Sequence, residues 1–226
     1  LKKGMMDDLL TSGIGHSEFN NSILGRIPKE WKVVDLKDNL SFISYGFTNP
    51  MPESEFGHFL VTAKDIFDGK IAYETARKTT PEAFRDLLTR KSRPKINDIL
   101  LTKDGTLGRV ALVDKEGICI NQSVAILTPN KNVLSRFLYY LLSFAKYQKE
   151  MLNKAGGSTI KHIYITVVDK MKVATPPIPE QQKIVSILSS IDTHINKIQK
   201  KLNKNQSLKK SLMQDLLTGK VRVSVN

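Results

Sequence analysis

From Glu180 to Thr218 the chain runs for 39 residues without a proline or a glycine. Apolar side chains recur through it at alternating steps of four and three: Ile184, Leu188, Ile191, Ile195, Ile198 and Leu202. The same count continues through Asn205, Lys209, Leu212 and Leu216, so eight of ten seam positions are apolar. That heptad spacing is the pattern of a coiled-coil seam, and polar residues such as Asn205 and Lys209 fix register and partner at some cost in stability. At ~1.5 Å per residue such a helix is roughly 57 Å long. The prediction is an arm or spacer rather than a surface helix lying on its own domain.

The arm has a marked start. Pro176, Pro177 and Pro179 in "ATPPIPEQQKIVSILSSI" hold the chain extended and then stop, and Glu180 falls in the first helical turn, where a negative charge suits the helix dipole. Gly219 supplies the stop. The arm's last turns, "LKKSLMQDLLT" (Leu208–Thr218), repeat the opening of the chain, "LKKGMMDDLLT" (Leu1–Thr11), at eight of eleven positions. Leu1–Thr11 therefore reads as the end of another such helix. The segments predicted are 1–24 as the end of a preceding arm plus linker, 25–175 as a domain, 176–219 as an arm and 220–226 as a tail. The chain is expected to be a piece of a longer protein or a natural half of one.

Residues 25–175 read as mixed α/β. "HFLVTAKDI" and "GKIAYE" are predicted strands around Asp68-Gly69, and Thr80-Pro81 starts a helix. "DILLTKDGTLGRVALV" is a predicted hairpin around Asp104-Gly105. "ICINQSVAILTP" reads as one buried strand and Leu134–Ala155 as one helix ended by Gly156-Gly157. "STIKHIYITVVDKMKVATP" returns through a short turn or helix to a final strand.

The 226 residues carry 35 Lys and Arg against 22 Asp and Glu, a formal net charge of +13. A chain this basic is expected to meet a polyanion, with nucleic acid the leading candidate. The excess is +8 over residues 25–175 and +6 over 176–226, with −1 over 1–24. Hydrophobic residues make up 40% of the chain, enough for a core, and no apolar run reaches the ~20 residues of a membrane span. The start has no signal-peptide apolar region. The single cysteine, Cys119, reads as a small buried hydrophobe, and a reduced, cytoplasmic setting is expected.

No active site is legible. His16, His58, His162 and His194 are scattered without ligand partners, and no phosphate-binding or dinucleotide glycine motif is present. Glu30-Trp31-Lys32 matches half of a nuclease-like Glu-x-Lys signature by chance. Thr175-Pro176-Pro177-Ile178 lacks the amide or acid and the aromatic that a base-flipping methyltransferase needs. Basic and polar loops remain. They offer Arg85, Arg90, Lys91, Arg93 and Lys95 in "RDLLTRKSRPK", Lys103 and Arg109 in "KDGTLGR", and Ser158, Thr159 and Lys161 in "GGSTIKH". Such groups suit phosphate oxygens. Each is equally a candidate for solvated surface.

Together "DILLTKDGTLGRVALV", "NQSVAIL", "GGSTIKHI" and "PPIPEQQKIVSILSSID", with the opening "LKKGMMDDLLTSGIGHSEFNNSILGRIPKEWKVVDL", closely resemble the DNA-specificity (S) subunit of type I restriction-modification systems. The resemblance implies an α/β target-recognition domain followed by a long helix in an antiparallel coiled coil. It implies a non-catalytic reader of one half of a bipartite double-stranded DNA site, with the arm setting half-site spacing. It implies methyltransferase (M) and restriction (R) partner subunits, with S-adenosylmethionine, ATP and Mg on those partners and no cofactor here. One recognition domain and one complete arm depart from the full pattern of two each. Pairing of isolated chains through Ile184, Leu188, Ile191, Ile195, Ile198, Leu202, Asn205, Leu212 and Leu216 is therefore expected. The rival readings are a coiled-coil interaction protein that binds DNA without sequence preference, and a methyltransferase or nuclease.

Overall fold

Two four-residue segments, Ile99–Thr102 and Val124–Leu127, bury every side chain. A strand can do so only when both faces of its sheet are covered. The computed structural model, which describes residues 2–157 and 161–221, shows both coverings. In chain order its elements are α1 (Lys2–Thr11), β1 (Phe19–Ser22), β2 (Gly25–Pro28), β3 (Lys32–Asp35), β4 (Leu40–Tyr45), β5 (His58–Val61), β6 (Ile66–Phe67), β7 (Lys70–Ile71), β8 (Arg77–Thr79) and α2 (Pro81–Leu87). There follow β9 (Ile99–Thr102), β10 (Val110–Leu112), β11 (Ile118–Ile120), β12 (Val124–Pro129), α3 (Ser135–Ser143), α4 (Ala145–Asn153), α5 (Ile165–Val168), β13 (Lys172–Thr175) and α6 (Ile178–Leu217).

The central sheet is antiparallel in the order β10-β9-β12-β4, with Ala125 opposite both Leu101 and Tyr45. A smaller sheet, β11-β5-β8, pairs β11 with β5 in parallel. Leu100, Val124 and Ile126 of the first sheet share one core with Val61, Ile118 and Ile120 of the second. Each such side chain contributes about 1.5–3 kcal/mol by leaving water. Helix α3 covers β10 and β12 on the other face. Short pairs β1-β2, β6-β7 and β3-β13 complete the strands. By packing, the chain forms a larger unit over residues 3–185 and a smaller one from residue 186 onward.

Thr80 caps α2 as predicted: its hydroxyl accepts the Ala83 N–H at 3.2 Å, ahead of Pro81. The β9-β10 hairpin also forms, but its connection is a seven-residue loop, 103–109, rather than a tight turn at Asp104-Gly105. The predicted strand "HFLVTAKDI" stops at Val61, where Asp65 accepts both the N–H and the hydroxyl of Thr62 and turns the chain. Asp68 and Gly69, both at positive φ, make the turn between β6 and β7.

Two predicted elements are each broken in two. "ICINQSVAILTP" is β11 and β12, in different sheets. Asn121 Oδ1 accepts the N–H and hydroxyl of Ser123, a side-chain turn that carries the chain from one sheet to the other. Leu134–Ala155 is α3 and α4, separated by Phe144 in an extended conformation. The Gln148 side chain donates to the Leu142 carbonyl at 2.6 Å, replacing a bond that a continuous helix would have made.

Helix α6 begins two residues before Glu180 and runs for 40 residues. Ile184 and Leu188 are buried, whereas Ile195, Ile198, Leu202, Leu212 and Leu216 are about half exposed. Asn205 and Lys209 are exposed.

Candidate nucleic-acid interface

Two of the basic loops meet. The β9-β10 loop begins at Lys103, whose carbonyl accepts the Ile163 N–H at 2.9 Å. Gly156 and His162 exchange both backbone hydrogen bonds, at 3.0 and 2.7 Å. Gly156 has no room for a side chain, because a Cβ would come within 2.8 Å of the Tyr164 ring. Asp104 joins the loops: its carboxylate takes the Lys103 ammonium at 2.6 Å and the His162 Nδ1 at 2.5 Å. The Lys103 ammonium lies 5.4 Å from the centre of the Tyr45 ring at the end of β4. Tyr45 and Tyr164 are both exposed by more than 40%. The result is a patch of ammonium, imidazole, carboxylate and two phenol rings at one end of the central sheet.

The patch is held from behind. Gln148 of α4 donates to the Gly108 carbonyl at 2.8 Å, and Gly108 sits at positive φ with the Gln148 amide where a Cβ would go. Thr102 accepts the Arg109 N–H at 2.9 Å. The Arg109 guanidinium lies over the Phe67 ring and donates to the Ile66 carbonyl at 2.9 Å. Lys161 is exposed on the second loop. Ser158 and Thr159 lie outside the described residues.

The third loop lies at the opposite end of the same sheet. Arg90 pairs with Asp98 at 2.9 Å, donates to Thr128 and the Arg93 carbonyl, and lies over Phe42. The Arg93 guanidinium donates to the Arg85 and Leu88 carbonyls and lies over Phe84. Both hold the loop together. Arg85 pairs with its neighbour Asp86, whose carboxylate raises the guanidinium's pKa further above its ordinary value. Lys91 and Lys95 are exposed. At about 3.3 Å per residue, the five steps of chain from Asp98 to Lys103 set the two basic ends roughly 16 Å apart.

Sequence reasoning passed over Tyr45, Tyr164 and the Asp104–His162 pair. An aromatic placed just before Gly46, the close-approach glycine that ends β4, was the available signal for Tyr45. Nothing local signals a pair whose members are 58 residues apart.

The arm's first turn is clamped on two sides. Glu180 accepts the Ile14 N–H at 3.0 Å and the His16 Nε2 at 2.8 Å on one oxygen, and the Trp31 Nε1–H at 2.9 Å on the other. Its carboxylate thus serves side chains and a linker amide, where the sequence pointed to the helix dipole. The adjacent Gln181, fully buried, accepts the Leu134 N–H and donates to the Asn132 and Pro176 carbonyls. Trp31, noted for a nuclease-like triplet, is a buried anchor. Burial pushes the Cys119 thiol up to about 12, so it is no nucleophile.

Residues 28–209 match the family model of the type I restriction modification DNA specificity domain. The chain is 29% identical over 98% of its length to the type I restriction enzyme MjaVIII specificity subunit of Methanocaldococcus jannaschii, covering 54% of that protein. It is 32% identical over 98% of its length to the putative MjaX specificity subunit of the same organism, covering 51%. The chain thus spans about half the length of the curated relatives it matches. Among solved structures, a chain of a type I R-M system superposes with a TM-score of 0.67 at 18% identity, covering 94% of this chain and 48% of that one. The HsdS subunit from Thermoanaerobacter tengcongensis superposes at 0.63 with 15% identity, covering 95% and 49%. These two carry the fold.

Proposed function

We propose, for a chain that belongs to the type I restriction-modification DNA specificity domain family, that its larger unit reads one half of a bipartite double-stranded DNA site and catalyses nothing itself. The observation that carries this reading is the meeting of the 103–109 loop with His162 and Ile163 at Asp104 and Lys103. Lys103 and Lys161 offer cations to phosphates, which position a protein on DNA. His162, Asp104, Tyr45 and Tyr164 offer donors, an acceptor and flat rings of the kinds that read base edges. Lys91 and Lys95, exposed on the loop at the other end of the sheet, suit further phosphates along a groove ~12 Å wide. Methylation and cleavage, with S-adenosylmethionine, ATP and Mg, belong to M subunits docked on the arm and R subunits that join through the complex, in the cytoplasm. A free chain pairs with a second copy through antiparallel arms along the α6 seam.

Selection from randomised duplexes tests the reading. Retained DNA is expected to share a short motif. Lys103→Ala and Lys161→Ala are each expected to weaken binding to all sequences and to lower the salt slope by about one. His162→Ala is expected to relax the motif instead. Binding that ignores sequence and disappears at moderate salt would favour the interaction-protein reading. The arm as ruler has its own test. One heptad inserted after Leu202 adds ~10.5 Å and is expected to widen the preferred gap between half-sites by about three base pairs. A gap indifferent to the insertion removes the ruler.

A further inference from the structure

The tight turn between β6 and β7 holds an aromatic ring out into solvent. Ile66 and Ile71, paired across this hairpin, are buried in the core. Side chains alternate along a strand, so Phe67 points the other way, and it is 64% exposed. The ring is held firmly there. Asp68 and Gly69 take φ angles of +50 and +72°. A Cβ on Gly69 would strike the Tyr139 hydroxyl of α3, so the turn lies close against that helix. The Arg109 guanidinium, 5.2 Å from the ring centre, covers one face of Phe67 and is itself fixed to the Ile66 carbonyl.

The same segment borders the candidate DNA interface. Ala63, in the turn that leads into β6, donates its N–H to the Ser123 hydroxyl at 3.0 Å. The Ser123 carbonyl accepts the Lys103 and Asp104 N–H groups at 2.9 and 3.3 Å. Residues 63–67 therefore reach the 103–109 loop at both ends, at its start through Ser123 and at its finish through Arg109. Lys64, between them, is exposed. A cation and an apolar ring thus stand at the same end of the central sheet as Lys103, Asp104 and His162.

A phenyl ring has no hydrogen-bonding group with which to read the donors and acceptors of base edges. The apolar feature of the major groove is the thymine 5-methyl group. Insertion between base pairs would need both faces of the ring, and Arg109 occupies one of them. We infer that Phe67 is a specificity residue that packs its open side on the 5-methyl group of a thymine in the recognised half-site, with Arg109 as its fixed backing. The inference rests on the proposed DNA reading and adds one base to it. A ring already held in place makes such a contact with little further loss of side-chain freedom.

Deoxyuridine in place of thymidine removes that methyl group alone. In duplexes carrying the motif selected by the full chain, one thymine is expected at which this replacement weakens binding about fourfold, the worth of one buried methyl. Phe67→Ala is expected to bind the thymine duplex more weakly by a similar factor and to hold the thymine and uracil duplexes equally. Phe67→Leu, still apolar, is expected to keep a preference for thymine. Lys103→Ala is expected to weaken both duplexes alike and leave the preference intact. The melting temperature of each variant is the fold control. A selection that returns no motif removes the DNA reading and this inference with it. A motif in which no thymine responds to loss of its methyl, or a response that persists in Phe67→Ala, overturns the inference and leaves the DNA reading standing.

Discussion

Glu180→Ala is expected to lower the stability of the larger unit by about 3 kcal/mol, because one carboxylate collects three donors from three places. A hydrogen bond to a charged group is worth about 1.5–3 kcal/mol, and each buried donor left unpaired costs about 1–3 kcal/mol. The Trp31 indole N–H and the Ile14 amide both become such donors. For a chain of this size the loss corresponds to a melting temperature lower by about 6–12 °C. Glu180→Gln is expected to cost less, since its carbonyl oxygen still accepts while its amide opposes one donor. Gly13→Ala attacks the same clamp from the other side: its Cβ would lie 2.4 Å from the Glu180 carboxylate at a φ of +69. Denaturant unfolding of the three variants checks this. A Glu180→Ala chain within 1 kcal/mol of the parent would mean that water replaces the carboxylate at no cost.

The second large effect concerns association. Ile195→Asp combined with Leu202→Asp is expected to raise the dissociation constant of the proposed arm-mediated dimer at least ~100-fold, about 2.7 kcal/mol. Both side chains are about half exposed in the single chain, so the pair of carboxylates is tolerated there and becomes costly only when the seam closes. Lys197, Lys200 and Lys204 occupy outward positions of the heptad and leave the seam to Ile195, Ile198 and Leu202. Sedimentation at tens of micromolar is the measurement, with the melting temperature of the larger unit as control. A parent chain that is monodisperse and monomeric at that concentration overturns homodimerisation, and a dimer that survives both aspartates moves the interface off the seam.

What local chemistry dictates was readable in advance. The Pro-to-Gly boundaries of α6, the Thr80-Pro81 cap and the β9-β10 hairpin depend on residues near one another in the chain, and all three are present. The break at Phe144 was not readable. No glycine or proline marks it, and it depends on Gln148 finding the Gly108 carbonyl 40 residues away. The split of "ICINQSVAILTP" did have a local mark: Asn-Gln-Ser is a polar triplet inside an apolar run, and Asn121 is a turn former. The candidate interface follows the same division. Its cations were visible as basic loops. That Arg90 turns inward while Lys103 joins His162 was decided by Asp98 and Asp104, and that Arg93 turns inward by the Arg85 and Leu88 carbonyls, all of them roles that depend on how the chain folds around them.

The clamp at Glu180 also bears on the order in which a nascent chain folds. Its partners Ile14 and Trp31 precede it by 166 and 149 residues, so they are synthesised long before it. Loop closure over such separations is slow, whereas a helix forms within about a microsecond. The sheets can assemble as their strands emerge, but the linker after α1 stays unfastened until the arm's first turn has been made. Chains interrupted before that turn are expected to carry Trp31 unbonded and the Gly13 turn loose, an opening for proteases. Synthesis of the arm's first turn is then the event that closes the domain, and only chains that extend past Glu180 are sealed.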